Sequence, residues 1–280
     1  MHDHQGFERI DLARVPLSYP GPAATEPMLV LPHCQHRVTP IPGRPLGAAR
    51  VIRCEACTTR DGVRVLALDD ELCARGAAPM DQRAPVVAVG SNASPGVVRV
   101  KLDRTGGDAV IPMFPARVRH LRIGISAHVS RPGFLPAAPA RVQDDLARVV
   151  VGWPDREQLP RLDLTEPNYR RISLRSSDFP LALDGLDLND PEQNGPELER
   201  PELKEFELYE SRWGVLVDPD GPRRLLPQPE LFAVLGALRL EPWRSQPPQD
   251  AVRTLAASED LRAALRDQFR ILGMAGESGL

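Results

Sequence analysis

Pro85-Val86-Val87-Ala88-Val89-Gly90-Ser91-Asn92 decides how this chain is read, because a β-rich apolar run stops there at a turn suited to a ligand. A continuous apolar run predicts a strand covered on both faces, over Val86 to Val89. Gly90 lets backbone approach a ligand closely, and Ser91 and Asn92 add short polar side chains. The N–H groups of such a turn suit a carboxylate, a phosphate or a carbonyl oxygen. Ala93-Ser94-Pro95 follows, with Ser94 placed as an N-cap and Pro95 as the first helical residue. Val97 to Leu102 is expected to make poor helix, since three of its six residues are β-branched. In isolation the motif reads by default as a structural turn.

Working outward, four further stretches stand in order. They are Ala116-Arg117-Val118-Arg119-His120-Leu121-Arg122-Ile123-Gly124-Ile125; the Pro-containing Leu135-Pro136-Ala137-Ala138-Pro139; Val149-Val150-Val151-Gly152-Trp153 with Arg156-Glu157-Gln158-Leu159; and Leu162-Asp163-Leu164-Thr165-Glu166 before Tyr169-Arg170-Arg171-Ile172-Ser173-Leu174. In this order the segment from about Pro85 to Leu174 resembles the gamma-glutamylcyclotransferase-like superfamily. That family has a Tyr-Gly-Ser-Asn-Leu loop after its first strand and an L-D-x-x-E motif before its closing strand. The resemblance implies an α+β fold with a small mixed β-barrel, flanking helices and added N- and C-terminal segments. It further implies that Val89, Gly90, Ser91, Asn92 and Tyr169 bind a gamma-glutamyl group and that Glu166 is the general acid and base. The implied reaction is formation of 5-oxoproline from a gamma-glutamyl amine or peptide by intramolecular aminolysis, with no metal or organic cofactor. Three residues depart from the family pattern: Val89 for the tyrosine, Ala93 for the leucine, and Pro167 where a glycine usually follows the glutamate. Pro167 biases Glu166 toward extended backbone and removes an N–H donor. The alternative is therefore a non-catalytic binding or interaction protein on the same fold.

The 280 residues suffice for one elaborated domain or two small ones. A net charge of −3, with arginines scattered among acids, gives no footprint for nucleic acid or an anionic membrane. Lys101 and Lys204 are the only lysines, and the bias to Arg, Ala and Pro resembles that of a GC-rich bacterial genome. No apolar run reaches bilayer length, and Met1-His2-Asp3-His4-Gln5-Gly6 has no secretory pattern, so a cytoplasmic protein is expected; the small-molecule partner, a gamma-glutamyl compound, is what the resemblance implies.

Residues 1–84 read as a Pro-rich extended arm, then a β-hairpin and a short helix. Eight prolines between Pro16 and Pro45 argue against long helix or central strand, while the island Met28-Leu29-Val30-Leu31 favours wrapping against the body. Arg50 to Leu68 reads as a hairpin turning at Asp61-Gly62, and Asp69 to Gly76 as a short helix. Residues 85–175 are the family-like core, and 176–201 an acidic linker or loop. Residues 202–280 read as a strand hairpin plus C-terminal helices, with Ser258 capping a helix whose apolar set is Leu261, Leu265, Phe269 and Leu272.

Cys34, His36, Cys54 and Cys57 are a possible zinc set. Placed inside a strand, however, Cys54 and Cys57 would point to opposite faces, so the four are expected not to converge. His128 reads as a hydrogen-bonded strand residue or a pocket-lining group. Dinucleotide, P-loop, hydrolase-elbow and zincin signatures are absent.

Overall fold

The computed structural model describes residues 9–62, 64–184 and 203–280. The arm contributes β1 (Met28–Val30) and β2 (Gln35–Thr39). Next come β3 (Arg50–Ile52), α1 (Glu55–Asp61), β4 (Val65–Ala67) and α2 (Leu68–Cys73). The central run supplies β5 (Val86–Ala88), α3 (Pro95–Arg104), β6 (Ile111–Ile125), β7 (Ala137–Gly152), α4 (Gln158–Leu164), β8 (Tyr169–Arg175) and β9 (Leu181–Leu183). After the linker come β10 (Glu205–Ser211), β11 (Val215–Asp218), β12 (Gly221–Pro222), α5 (Gln228–Ala237), α6 (Pro248–Ala257), α7 (Glu259–Ile271) and β13 (Ala275–Gly276).

The chain is α+β, built on one large mixed sheet in the order β4-β3-β2-β1-β6-β7-β5-β10-β8, with β9 also paired to β6. Among the described residues this path does not close into a barrel: β7 takes one edge of β6, while β1 and β9 share the other. As expected from its apolar run, β5 is buried and central, antiparallel to β7 and parallel to β10. The C-terminal segment thus completes the core sheet, since β10 lies between β5 and β8.

Two expectations about the arm and its neighbour are corrected. The prolines do not exclude an interior strand: β1 sits between Pro27 and Pro32, which end it without entering it, and it pairs on both sides. The hairpin over residues 50–68 is interrupted by α1. Gly62 is in the left-handed region (φ 70) and ends that helix, its N–H donating to the Thr58 carbonyl. Asp61-Gly62 is therefore a helix stop, a use of glycine as common as the hairpin turn.

A third correction concerns α3. It is helical through Val97, Val98 and Val100 because their side chains are buried, together with Leu102. Packing of this kind outweighs a few tenths of a kcal/mol per residue of propensity. Pro95 opens the helix as expected. The C-terminal reading holds in part: Ser258 accepts from the Leu261 N–H and caps α7, whose Leu265 and Phe269 pack with α5, α6 and the end of β6 at Ile125, whereas Leu272, expected on the apolar face, follows the helix and is exposed. Among the described residues no helix is long and apolar enough to cross a membrane.

Candidate functional site

The turn after β5 and the segment after α4 meet, although 74 residues separate Asn92 from Glu166 in sequence. Asn92 Nδ2 donates to Glu166 Oε1 at 3.0 Å. A cavity of about 280 Å³ opens at this junction, and Val89, Gly90, Ser91, Asn92, Glu166 and Tyr169 all line it. Every substrate-binding and catalytic residue expected from the sequence is therefore on one cavity.

Local structure explains how Glu166 is aimed. The Asp163 carbonyl accepts from the Glu166 N–H, and the Glu166 carbonyl accepts from Tyr169 N–H, so the motif leaves α4 in a tight turn. Asp163 is clamped by Arg171 and by the Tyr209 hydroxyl, which donates to it at 2.8 Å. The aspartate of the motif thus anchors the turn, while the glutamate three residues later faces the cavity. Pro167 costs an N–H but does not turn the Glu166 side chain away from Asn92.

Lys101 is the side chain that sequence reasoning missed. From the second turn of α3 its Nζ donates to Ser91 Oγ (3.1 Å), Asn92 Oδ1 (2.7 Å) and Glu166 Oε1 (2.5 Å). Both Lys101 and Glu166 side chains are mostly covered, at 16% and 13% exposure, so the pair is far less screened than a surface ion pair. One signal was available: in a chain that writes nearly all its cations as arginine, a lysine follows the Gly-Ser-Asn turn.

The arm supplies a second unexpected group. Tyr19 is buried, stacks on Phe134 and receives the Ala137 N–H at 2.7 Å. Tyr169 donates its hydroxyl to the Ala137 carbonyl, also at 2.7 Å, so the backbone of one residue at the start of β7 holds both phenols. A Cβ at Gly90 would lie 2.5 Å from the Tyr19 hydroxyl oxygen, which accounts for glycine there. Val89 leaves the loop without its own aromatic, and Tyr19 brings one from the arm. Burial pushes the phenols of Tyr19, Tyr169 and Tyr209 up, and the charge of Glu166 adds to this, so all three stay protonated at neutral pH.

His128 is absent from the cavity lining. It lies outside the strands, buried, with Nδ1 2.6 Å from Ser126 Oγ, which in turn meets Ser211 Oγ at 2.6 Å. Burial, with Arg266 adding repulsion, pushes its pKa down to about 3. The unfolded chain binds a proton near pH 6.5 and the folded one only near 3, so folding stability falls as pH drops below about 6.5. We expect His128→Gln to remove about 2 kcal/mol of the stability change between roughly pH 7 and pH 4.5, measured by urea unfolding. An unchanged pH slope in the variant would contradict this placement.

The cysteines correct a further expectation. Cys34, His36, Cys54 and Cys57 do converge, their ligand atoms all lying within 4.8 Å of one another. Cys54 is the N-cap residue of α1 and Cys57 lies in its first turn, so helical spacing replaces strand alternation and brings both sulfurs to one side.

No protein-family model and no curated protein matches the chain. It is similar to the solution structure of an Arabidopsis thaliana protein at 16% identity, over 56% of this chain and 77% of that one, with a TM-score of 0.34. That likeness is too weak to carry an argument.

Proposed function

We propose that the protein is a gamma-glutamylcyclotransferase-like enzyme that releases 5-oxoproline from a gamma-glutamyl amine or peptide. The single observation that supports this most is the meeting of Glu166 with the Gly90-Ser91-Asn92 turn in one small cavity. On this reading β5 to β8, with β10 inserted, correspond to the strands of the family's small mixed barrel, here standing in an open sheet.

The reaction needs a base that becomes an acid. Glu166 takes a proton from the substrate α-amine, whose nitrogen attacks the γ-carbonyl carbon of the same residue. The C–N bond to the leaving amine then breaks as Glu166 returns the proton to it. One carboxylate serves both steps, and the backbone N–H groups of the turn are suited to the oxyanion of the tetrahedral intermediate. Because nucleophile and electrophile share a molecule, a cavity this small contributes by folding the chain of the substrate into an attack geometry. Nothing in the scheme requires a metal or organic cofactor.

Lys101 fits the substrate α-carboxylate, the one anionic group such substrates always carry. A charge-assisted hydrogen bond contributes about 1.5–3 kcal/mol, so Lys101→Met is expected to raise KM by roughly tenfold or more. Steady-state kinetics over a panel of gamma-glutamyl dipeptides and amines checks both the activity and this role. A variant with unchanged KM and a collapsed kcat would move Lys101 from substrate binding to the positioning of Glu166.

A non-catalytic binding protein on the same fold is the second reading, and one observation favours it. The ammonium of Lys101 already occupies Ser91, Asn92 and Glu166 together, where a substrate amine would dock. Lack of turnover on the panel, with retained binding of gamma-glutamyl compounds, is the result that selects it.

A further inference from the structure

We propose that Cys34, His36, Cys54 and Cys57 bind one zinc ion in a closed, structural site. The set has Cys-x-His at the start of β2 and Cys-x-x-Cys at the N-terminus of α1, and it depends on neither residue of the Lys101–Glu166 pair. Three thiols and an imidazole are a tetrahedral zinc ligand set, and four protein ligands leave no open position for catalysis.

The distances suit a shared ion better than any sulfur–sulfur chemistry. Cys34 Sγ and Cys57 Sγ are 3.7 Å apart. A disulfide needs about 2.05 Å. Two sulfurs on a tetrahedral zinc, each about 2.3 Å from the metal, are separated by about 3.8 Å. That pair therefore stands at the spacing of a coordination edge, and the other ligand atoms, within 4.8 Å, would close in on the ion.

The surroundings of His36 supply an independent argument. Its ring is fully buried, and Nε2 lies 3.4 Å from a carboxylate oxygen of Glu71, itself fully buried. Arg53 and Arg75 pair with that carboxylate at 2.7 and 2.6 Å and keep it in place as an acceptor. An Nε2–H directed at Glu71 leaves the lone pair on Nδ1, which accepts from the Cys54 backbone N–H at 3.1 Å and would pass to the metal on binding. A carboxylate behind a histidine is the usual device for fixing the tautomer and orientation of a zinc ligand.

The site would tie α1 to β2 and to the turn before it. β2 and β3 lie toward one end of the sheet, and α1 is a seven-residue helix inserted between two three-residue strands. Such a helix is too short to be stable on propensity alone. A zinc tying its first turn to the β1–β2 turn would hold it.

Elemental analysis of the full chain purified without added metal should find about one zinc per chain, lost in a Cys54→Ser/Cys57→Ser variant and kept in Cys73→Ser, whose thiol is exposed. Should the double variant fail to fold, the wild type decides: chelated protein refilled with cobalt(II) should show thiolate-to-metal charge transfer and strong tetrahedral d–d bands. Well-folded wild-type protein with well under about 0.2 metal per chain and no such bands overturns the proposal, as does zinc retained at full occupancy in a folded double variant.

Discussion

Glu166→Gln is expected to lower 5-oxoproline release by about a hundredfold or more while leaving the fold intact, the usual loss when a positioned acid and base is removed. Glutamine keeps the side-chain length and an oxygen that still accepts from Asn92 and Lys101, so the turn keeps its partners. What it cannot do is take the α-amine proton and return it to the leaving group. The loss should therefore fall on kcat, with KM moving little, because substrate contacts with the turn and with Lys101 survive. Thermal unfolding should stay cooperative, with a midpoint lowered by loss of the mostly covered Lys101–Glu166 charge pair. Full turnover in this variant would remove Glu166 from the chemistry.

The second large effect concerns stability. Arg99 is 2% exposed, its Nε donating to the Leu31 carbonyl at 2.7 Å and its Nη2 to the Cys34 carbonyl at 3.2 Å. Burial pulls its pKa down to about 9, so it is still charged at neutral pH. Arg99→Met keeps much of the volume but leaves two carbonyls without these donors, at about 1–3 kcal/mol each, partly offset by removal of a buried charge. The net expectation is a loss of about 3 kcal/mol, read as a lower urea midpoint at unchanged slope. Arg99 ties α3, which carries Lys101, to the turn that carries Cys34. Wild-type stability in the variant would mean that this tie contributes nothing.

What the sequence disclosed follows from how local each signal is. The strand ending at Gly90-Ser91-Asn92 and the Leu162 to Glu166 motif are punctuated by glycine, proline and short polar residues, and both stand where the sequence puts them. Their meeting across the sheet was legible only through the order of motifs in a family. Tyr19 was not legible, because its place over Gly90 depends on how the arm wraps the body. α1 was misread because Asp-Gly serves a hairpin turn and a helix stop equally well, and that one ambiguity decided whether Cys54 and Cys57 diverge or converge. α3 defeats its own propensity through burial of its valines. β10 enters parallel to β5 from more than a hundred residues away, a pairing no local pattern encodes.

Product identity tests the proposed intramolecular aminolysis most directly. Purified wild-type protein incubated with gamma-glutamyl dipeptides and amines should yield 5-oxoproline and the free amine in equal amounts, with no glutamate, when followed by mass spectrometry. Release of glutamate would mean that water, not the α-amine, attacks the γ-carbonyl. No product from any member of the panel would contradict the enzymatic account outright.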